Sequence, residues 1–388
     1  MKMIKRIMAL CASVLLLAAS ACAQGPNDPD PTTPTASDHS KEADLQLRND
    51  IGEMLLVGFR GMSLDKTSHI VRDIQEYHIG GVILFEYDAP SGTHSRNIRD
   101  PKQVKALCQQ LQEYGQGQLL IGIDQEGGMV CRLKAKAGFP RVISPQKMAE
   151  KGADTTRHYA RITAEMLSSL GINLNFAPCV DVNINPKCPI IGKLERSFGN
   201  TPEQVVRMAE IWMEESERQG VVPCLKHFPG HGSSSADSHH GLVDVTNTWQ
   251  RLELQPYQDL IAKRQVPMIM STHVINGQFD GRPATLSQVI LTDLLRNELG
   301  FKGVVITDDM GMGAIKDEYD YAEAIRLTIE AGADMLCLGN NSVPYRPDIV
   351  PETFDIIYGL VQSGQLSAER IHQSAERIRQ LKSALKKK

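Results

Sequence analysis

Eight short apolar runs punctuate the chain, at residues 54–59, 80–85, 119–124, 173–179, 221–227, 266–274, 303–308 and 334–338. They are rich in Val, Ile and Leu and lack polar alternation, so they predict strands buried on both faces, as parallel strands under helices must be. The stretches between them open on a capping residue before proline, at Asp100-Pro101, Ser144-Pro145 and Thr201-Pro202. They close on glycine at Gly115, Gly171, Gly220 and Gly332. These are helix start and stop signals. Eight strand-and-helix units over roughly 300 residues fit one (β/α)8 barrel better than a doubly wound sheet, so the predicted fold is α/β, a TIM-type barrel in a single domain. Residues 42–53 predict a helix ahead of the first strand, and residues 350–388 predict two more, broken near Gly364 and packed on the outside.

A barrel of this kind assembles its site at the carboxyl ends of its strands, and the polar residues follow that rule. Asp124-Gln125-Glu126-Gly127-Gly128 follows the third run, Asp181 and then Arg196 the fourth, and Lys226-His227 the fifth. Ser271-Thr272-His273 closes the sixth and Thr307-Asp308-Asp309 the seventh. A single aspartate at a strand end is often only a turn cap; five clusters on one rim exceed what capping explains. The densest stretch is 226–240, with one lysine, four histidines and one aspartate on backbone that Pro229, Gly230 and Gly232 keep from being helical. The serines at 233–235 favour an exposed loop there.

Composition narrows the partners. A net charge of -4 over 388 residues, with no basic stripe beyond Lys386-Lys387-Lys388, leaves no electrostatic case for nucleic acid. The amino terminus is different: Lys2, Lys5 and Arg6 precede an apolar segment over 7–19 that is too short to span a bilayer. It reads as a secretory signal ending in Ala19-Ser20-Ala21-Cys22, which resembles a bacterial lipoprotein signal with Cys22 as the lipidated residue. Ala19 departs from the leucine usual at that place, so ordinary cleavage near Ala23 stays open. The expected organisation is a signal over 1–22, a Pro-, Asp-, Thr- and Ser-rich tether over 23–40, and a catalytic barrel over 41–388 with a helical carboxyl segment. The chain is then exported and lipid-anchored to the bacterial envelope, on the outer membrane, facing periplasm or surface, and is expected to be monomeric. The six cysteines from Cys108 to Cys337 lie at irregular spacing in apolar runs, which predicts buried free thiols rather than disulfides.

The rim residues bound the chemistry. No Gly-x-Gly-x-x-Gly follows a strand and no phosphate loop precedes a helix, so no nucleotide cofactor is expected. Metal-assisted hydrolysis could draw on His227, His231, His239, His240 and Asp308, but Pro229 and Gly230 exclude the helix that would align His227 with His231; no metal is expected. Glycoside hydrolysis needs a carboxylate nucleophile and a proton donor. Asp237 and His239 suit the second role, because a carboxylate can fix one imidazole nitrogen and leave the other facing substrate.

Lys226-His227-Phe228-Pro229-Gly230-His231-Gly232 followed by Asp237-Ser238-His239 resembles the signature loop of bacterial β-N-acetylglucosaminidases of glycoside hydrolase family 3. Ile123-Asp124-Gln125-Glu126-Gly127-Gly128, Asn175-Phe176-Ala177-Pro178 with Asp181-Val182-Asn183, Glu195-Arg196-Ser197-Phe198 and the 303–310 segment match it in order, over roughly residues 51–339. The resemblance implies Asp308 as nucleophile, His239 as acid/base oriented by Asp237, and Asp124, Arg132, Arg196, Lys226 and His227 as binders of the terminal N-acetyl sugar. It implies a retaining exo-β-N-acetylglucosaminidase acting on carbohydrate, peptidoglycan fragments or related glycosides, through a covalent glycosyl-enzyme. Asp309 is the rival nucleophile, with loop capping as its other role. Met129 stands where the family often has arginine, and the loop over 86–100 is long for its place. The family's two-domain β-glucosidases take a carboxylate acid/base from a second domain, for which this chain has no room. A sugar-binding lipoprotein without catalysis and a phosphorylase, in which phosphate replaces water, stay open. Asp237 and His239, on the Gly/Ser part of the loop, are expected to move in to deliver the proton.

Overall fold

The computed structural model describes residues 36–238 and 241–386. The chain divides into two compact units, 1–43 and 44–388, and the second holds the barrel. Cys22, His239 and His240 lie outside the described residues.

The eight apolar runs form eight strands: β1 (Leu55–Gly58), β2 (Gly81–Ile83), β3 (Leu120–Ile123), β4 (Leu174–Asn175), β5 (Val222–Phe228), β6 (Met268–Ser271), β7 (Val304–Ile306) and β8 (Leu336–Leu338). They pair in parallel in the order β7-β6-β5-β4-β3-β2-β1-β8. The two edges meet through a parallel bridge between Ile306 and Met335, and Thr307 N donates to the Met335 carbonyl at 3.0 Å, so the sheet curls into a barrel. The strands are shorter than the runs because several run ends already turn into rim loops. The run over 266–274 gives β6 only to Ser271, and Val274–Asn276 joins a separate three-stranded sheet on the rim.

The helix punctuation is largely as the sequence predicts. The Asp100 carboxylate accepts from Gln103 N at 2.9 Å, ahead of the helix Pro101–Tyr114, and Gly171 and Gly332 end their helices with positive φ. Ser144 behaves differently: its hydroxyl makes no cap and donates instead to Glu195 at 2.6 Å. Ile349–Gln362 and Ala368–Lys386 are the two expected outer helices. The helix before β1 runs over Ala36–Glu53 and so begins inside the stretch expected to be tether. All six cysteines from Cys108 to Cys337 are buried free thiols.

One buried carboxylate ties the outer layer to the barrel floor. Asp334, fully buried just before β8, accepts from Val305 N at 2.9 Å and from Arg296, and its other oxygen accepts from Ser374 Oγ at 3.1 Å and Arg377 Nη1 at 3.0 Å. The carboxyl-terminal helix and the helix Val289–Glu298 thus converge on a single anion. Removing one partner from such a cluster leaves buried charge uncompensated, so Asp334→Ala should lower unfolding stability by about 3 kcal/mol. Denaturant unfolding measures this, and a loss under about 1 kcal/mol would place Asp334 among ordinary surface-type ion pairs.

Candidate active site

The carboxyl ends of the strands surround a cavity of about 520 Å³. Asp124, Arg132, Arg196, Lys226, His227, Asp237 and Asp308 all line it. They come from the loops after β3, β4, β5 and β7, and from the ends of those strands. Cavities at the other end of the barrel, one of them lined by Val222, Gly303 and Leu381, carry none of them. His239, the remaining predicted catalytic residue, is outside the described residues.

A chain of alternating charges forms one wall. Lys226 Nζ, on a side chain only 2 % exposed, lies 2.8 Å from Asp124 Oδ1 and 2.7 Å from Glu126 Oε1. Arg196 grips Glu126 with two bonds of 2.8 and 2.9 Å, and Arg132 Nη2 donates to Asp124 Oδ2 at 3.2 Å. Glu86 extends the chain from the loop after β2, 2.9 Å from Lys134 and 3.8 Å from Arg132. Burial alone would raise both acids, but the Lys226 ammonium and the two guanidiniums outweigh it, so Asp124 and Glu126 titrate below the usual carboxylate range. In Lys226 burial is likewise outweighed by the two carboxylates, and its pKa is raised. Asp124, Glu126 and Lys226 therefore stay charged near neutral pH. Arg132 Nε has no hydrogen-bond partner among the described residues, and two carboxylates leave Lys226 a third N–H. The spare Lys226 donor beside Asp124 acceptors is what a ring of hydroxyl groups can bind.

Asp181 organises the second wall. Its carboxylate accepts from His231 N at 2.8 Å and contacts His227 Nδ1 at 2.7 Å and Cys179 Sγ at 3.2 Å. Arg196 Nη2 approaches His227 Nε2 at 3.2 Å. A guanidinium can only donate, so Nε2 accepts and the His227 proton sits on Nδ1, donated to Asp181. Burial raises Asp181 less than the facing His227 and His231 lower it, so it too stays ionised. Glu126 and Asp181 are the residues to which the sequence reading gives no role. Each lies inside a matched motif but neither lines the cavity, and between them they contact Lys226, Arg196 and His227, which do.

The loop after β5 is anchored where the serine run predicts exposure. Ser233 and Ser234 are buried, because Ser233 N donates to Glu253 at 3.1 Å and Asn185 Nδ2 donates to the Ser234 carbonyl at 2.9 Å. Trp249 Nε1 donates to the Pro229 carbonyl at 3.2 Å. Gly232 is forced: a Cβ there would lie 1.8 Å from the Val182 carbonyl, and Gly230 sits at φ 124°. His231 lies between Ser234 Oγ at 2.5 Å and Ser238 Oγ at 3.2 Å, and burial pushes its pKa down to about 4. His231 is thus a neutral structural strut, and the segment is braced up to buried Ser238.

The two adjacent aspartates have different surroundings. Asp309 Oδ1 accepts from Gly311 N and Gly339 N, both at 2.9 Å, which ties the β7 loop to the end of β8. Asp308 Oδ1 accepts from Asp309 N at 2.8 Å. The capping role therefore falls to Asp309. Cys179, Asp181 and His227 offer three donor atoms within 4.8 Å of one another, but burial raises the Cys179 thiol well above its usual range, and the thiol and imidazole protons already satisfy Asp181. Met129 is exposed and does not line the cavity.

A parallel barrel whose carboxyl rim carries a candidate carboxylate nucleophile beside a charged wall is an arrangement that barrel glycoside hydrolases use. The glycosyl hydrolase family 3 N-terminal domain matches residues 46–381, and the chain belongs to that family. A β-hexosaminidase A of Pseudoalteromonas piscicida is 34% identical over 337 residues, 80% of this chain and 54% of that protein. A β-hexosaminidase of Neisseria meningitidis is 34% identical over 285 residues, 71% of this chain and 73% of the relative. The structure of a family 3 β-N-acetylglucosaminidase from a Paenibacillus strain superposes with a TM-score of 0.79 at 36% identity, covering 88% of this chain and 62% of the other. The chain therefore spans about half the length of the Pseudoalteromonas relative.

Glu253 gives the braced loop a pH signature. Burial, with Asp181 nearby, pushes this carboxyl up to about 7, against the bonds it accepts from Ser233 N and Gln250 N. An acid raised in the fold stabilises it at low pH, and that contribution fades as pH climbs from about 4.3, the unfolded value, through about 7. His231 acts oppositely, losing its contribution as pH falls from about 6.5 toward 4. Glu253→Gln removes only the first slope, so its Tm relative to the unsubstituted protein should rise between pH 5 and pH 8 by about 2 °C or more. A difference independent of pH would mean that Glu253 does not titrate in this window.

Proposed function

We propose that the chain is an exo-acting β-N-acetylglucosaminidase that hydrolyses terminal N-acetylglucosamine from peptidoglycan fragments or related glycosides with retention of configuration. The observation that carries this reading is that Asp308 and the whole predicted sugar-binding set line one cavity at the carboxyl rim. The Paenibacillus relative is named for the same sugar, and the two β-hexosaminidases for its wider class.

In this mechanism the terminal sugar sits against Asp124, Arg132, Arg196, Lys226 and His227, with its hydroxyls exchanging hydrogen bonds with the charged wall. Asp308 attacks the anomeric carbon while His239 gives its proton to the departing glycosidic oxygen, forming a glycosyl ester and releasing the aglycone alcohol. His239, now neutral, takes a proton from water as that water attacks the anomeric carbon, and Asp308 is freed. Asp237 holds the His239 ring in the orientation both steps need. Asp309 is left out because its carboxylate is already used in joining two loops.

The envelope location is a proposal from residues 1–22 alone. No helix among the described residues is long and apolar enough to cross a membrane. Attachment in this reading runs through lipid on Cys22. Cys22→Ser should move the protein from the membrane fraction to the soluble fraction; unchanged partition would remove the lipid anchor.

Asp308→Ala should reduce turnover of an aryl N-acetylglucosaminide to background, and proton NMR of the first-formed sugar should show the β-anomer. His239→Ala should lower kcat by about 10²–10⁴-fold on sugar leaving groups and far less on activated aryl groups, which depart without protonation. Full activity in Asp308→Ala ends the assignment. Binding of N-acetylglucosamine without hydrolysis of any glycoside would favour a binding protein, and sugar 1-phosphate formed in phosphate buffer would favour a phosphorylase.

A further inference from the structure

The long loop over 86–100 is a rim feature to which the reaction above gives no work. It is built like a rigid arm. Asp88, 4 % exposed, is gripped by Arg60 at 2.8 and 3.0 Å and by Arg96 at 2.6 Å, and Arg96 also donates to the Asn340 carbonyl at 2.8 Å. Asn97, fully buried, holds the other end of the arm to the Phe59 and Gly61 carbonyls at 3.1 and 3.0 Å. Burying an arginine with a carboxylate costs desolvation that close pairing offsets; Arg96 leaves only its Nε without a partner, and the contacts fix the loop to the segment just after β1 and to the loop after β8.

Tyr87 stands at the root of this arm, next to Glu86. Its backbone is clamped by Asn341, whose Nδ2 donates to the Tyr87 carbonyl at 3.0 Å and whose Oδ1 accepts from Ala89 N at 3.0 Å. Its ring lines the cavity that holds Asp308, yet it is 39 % exposed, one of few large apolar side chains left open to solvent among the described residues. The His94 ring, which does not line the cavity, braces it at 5.0 Å. An aromatic ring kept half in water by an ion-pair scaffold, at a cavity whose lining mixes charged groups with apolar side chains such as Phe85, Phe176 and Met312, has the character of a binding surface rather than of core. Pyranose rings present an apolar C–H face that packs on aromatic rings, whereas the charged wall meets hydroxyls.

We propose that Tyr87 is the stacking platform for the sugar on the leaving-group side of the scissile bond, and that the 86–100 arm exists to hold it there, making the enzyme selective for glycans over small glycosides. This rests on the glycosidase reading above. The test compares kcat/KM for N-acetylglucosaminyl fluoride, whose leaving group is one atom, with that for di-N-acetylchitobiose, whose leaving group is a pyranose. Tyr87→Ala should lower the disaccharide value by about three- to tenfold, the range for an aromatic contact, and leave the fluoride value within about twofold. Tyr87→Phe should keep both. An unsubstituted protein inactive on both substrates overturns the glycosidase reading and this subsite together. An active protein whose Tyr87→Ala variant treats the two substrates alike overturns the subsite alone, as does a Tyr87→Phe variant that loses as much on the disaccharide as Tyr87→Ala.

Discussion

The site depends on the ammonium of Lys226, held almost without solvent between Asp124 and Glu126. Desolvating one such ion costs several kcal/mol, and only close, complete pairing recovers it. The pairing fixes geometry across the barrel, because Asp124 and Glu126 come from the end of β3, Lys226 from β5 and Arg196 from the loop after β4. Three strand ends are locked to one another by charge before any ligand arrives. Pre-set donors and acceptors of this kind can meet a sugar's hydroxyls without reorganising, which is the condition for spending binding interactions on the transition state.

From that lock the histidines take their roles. Arg196 reaches both Glu126 and His227, so the charge chain dictates the His227 tautomer, and through Asp181 it continues to the backbone of His231. His231, neutral and enclosed by two serine hydroxyls, then supports the loop that carries Asp237. Of the imidazoles crowded into this stretch, His227 lines the cavity and His231 braces the loop, with the Asp181 carboxylate between them.

The barrel was legible because its strands are buried on both faces and must be continuously apolar, and because Asp100 and the glycines at 171 and 332 are required by the local backbone wherever a helix starts or ends. The rim set was legible for a similar reason: Asp124, Lys226, His227 and Asp308 sit at strand ends, where a side chain's direction follows from the strand itself. What pattern could not reach was tertiary. Ser233 and Ser234 are local turn formers whose burial is decided by Glu253 and Asn185, distant in sequence, and Ser144 gives up its cap for Glu195. Glu126 and Asp181 escaped assignment because holding another residue leaves no spacing signature; it needs partners from other strands.

The loop over 86–100 joins the charge chain at its first residue and the cavity mouth at its second. Glu86 pairs with Arg132 and Lys134, so the arm is docked onto the same network that holds Asp124, while Tyr87 lies next to it in the chain and stays half exposed. An added loop that ended in hydrogen bonds to water could vary without consequence for the site. One whose root is an ion pair to Arg132 cannot move without disturbing the partner of Asp124, and the buried Asp88–Arg96 pair removes the remaining freedom. The same physical device, a buried charge whose pairing demands fixed geometry, is therefore used at two depths: once to set the charged wall around Lys226, and again to set the position of Tyr87 at the same cavity.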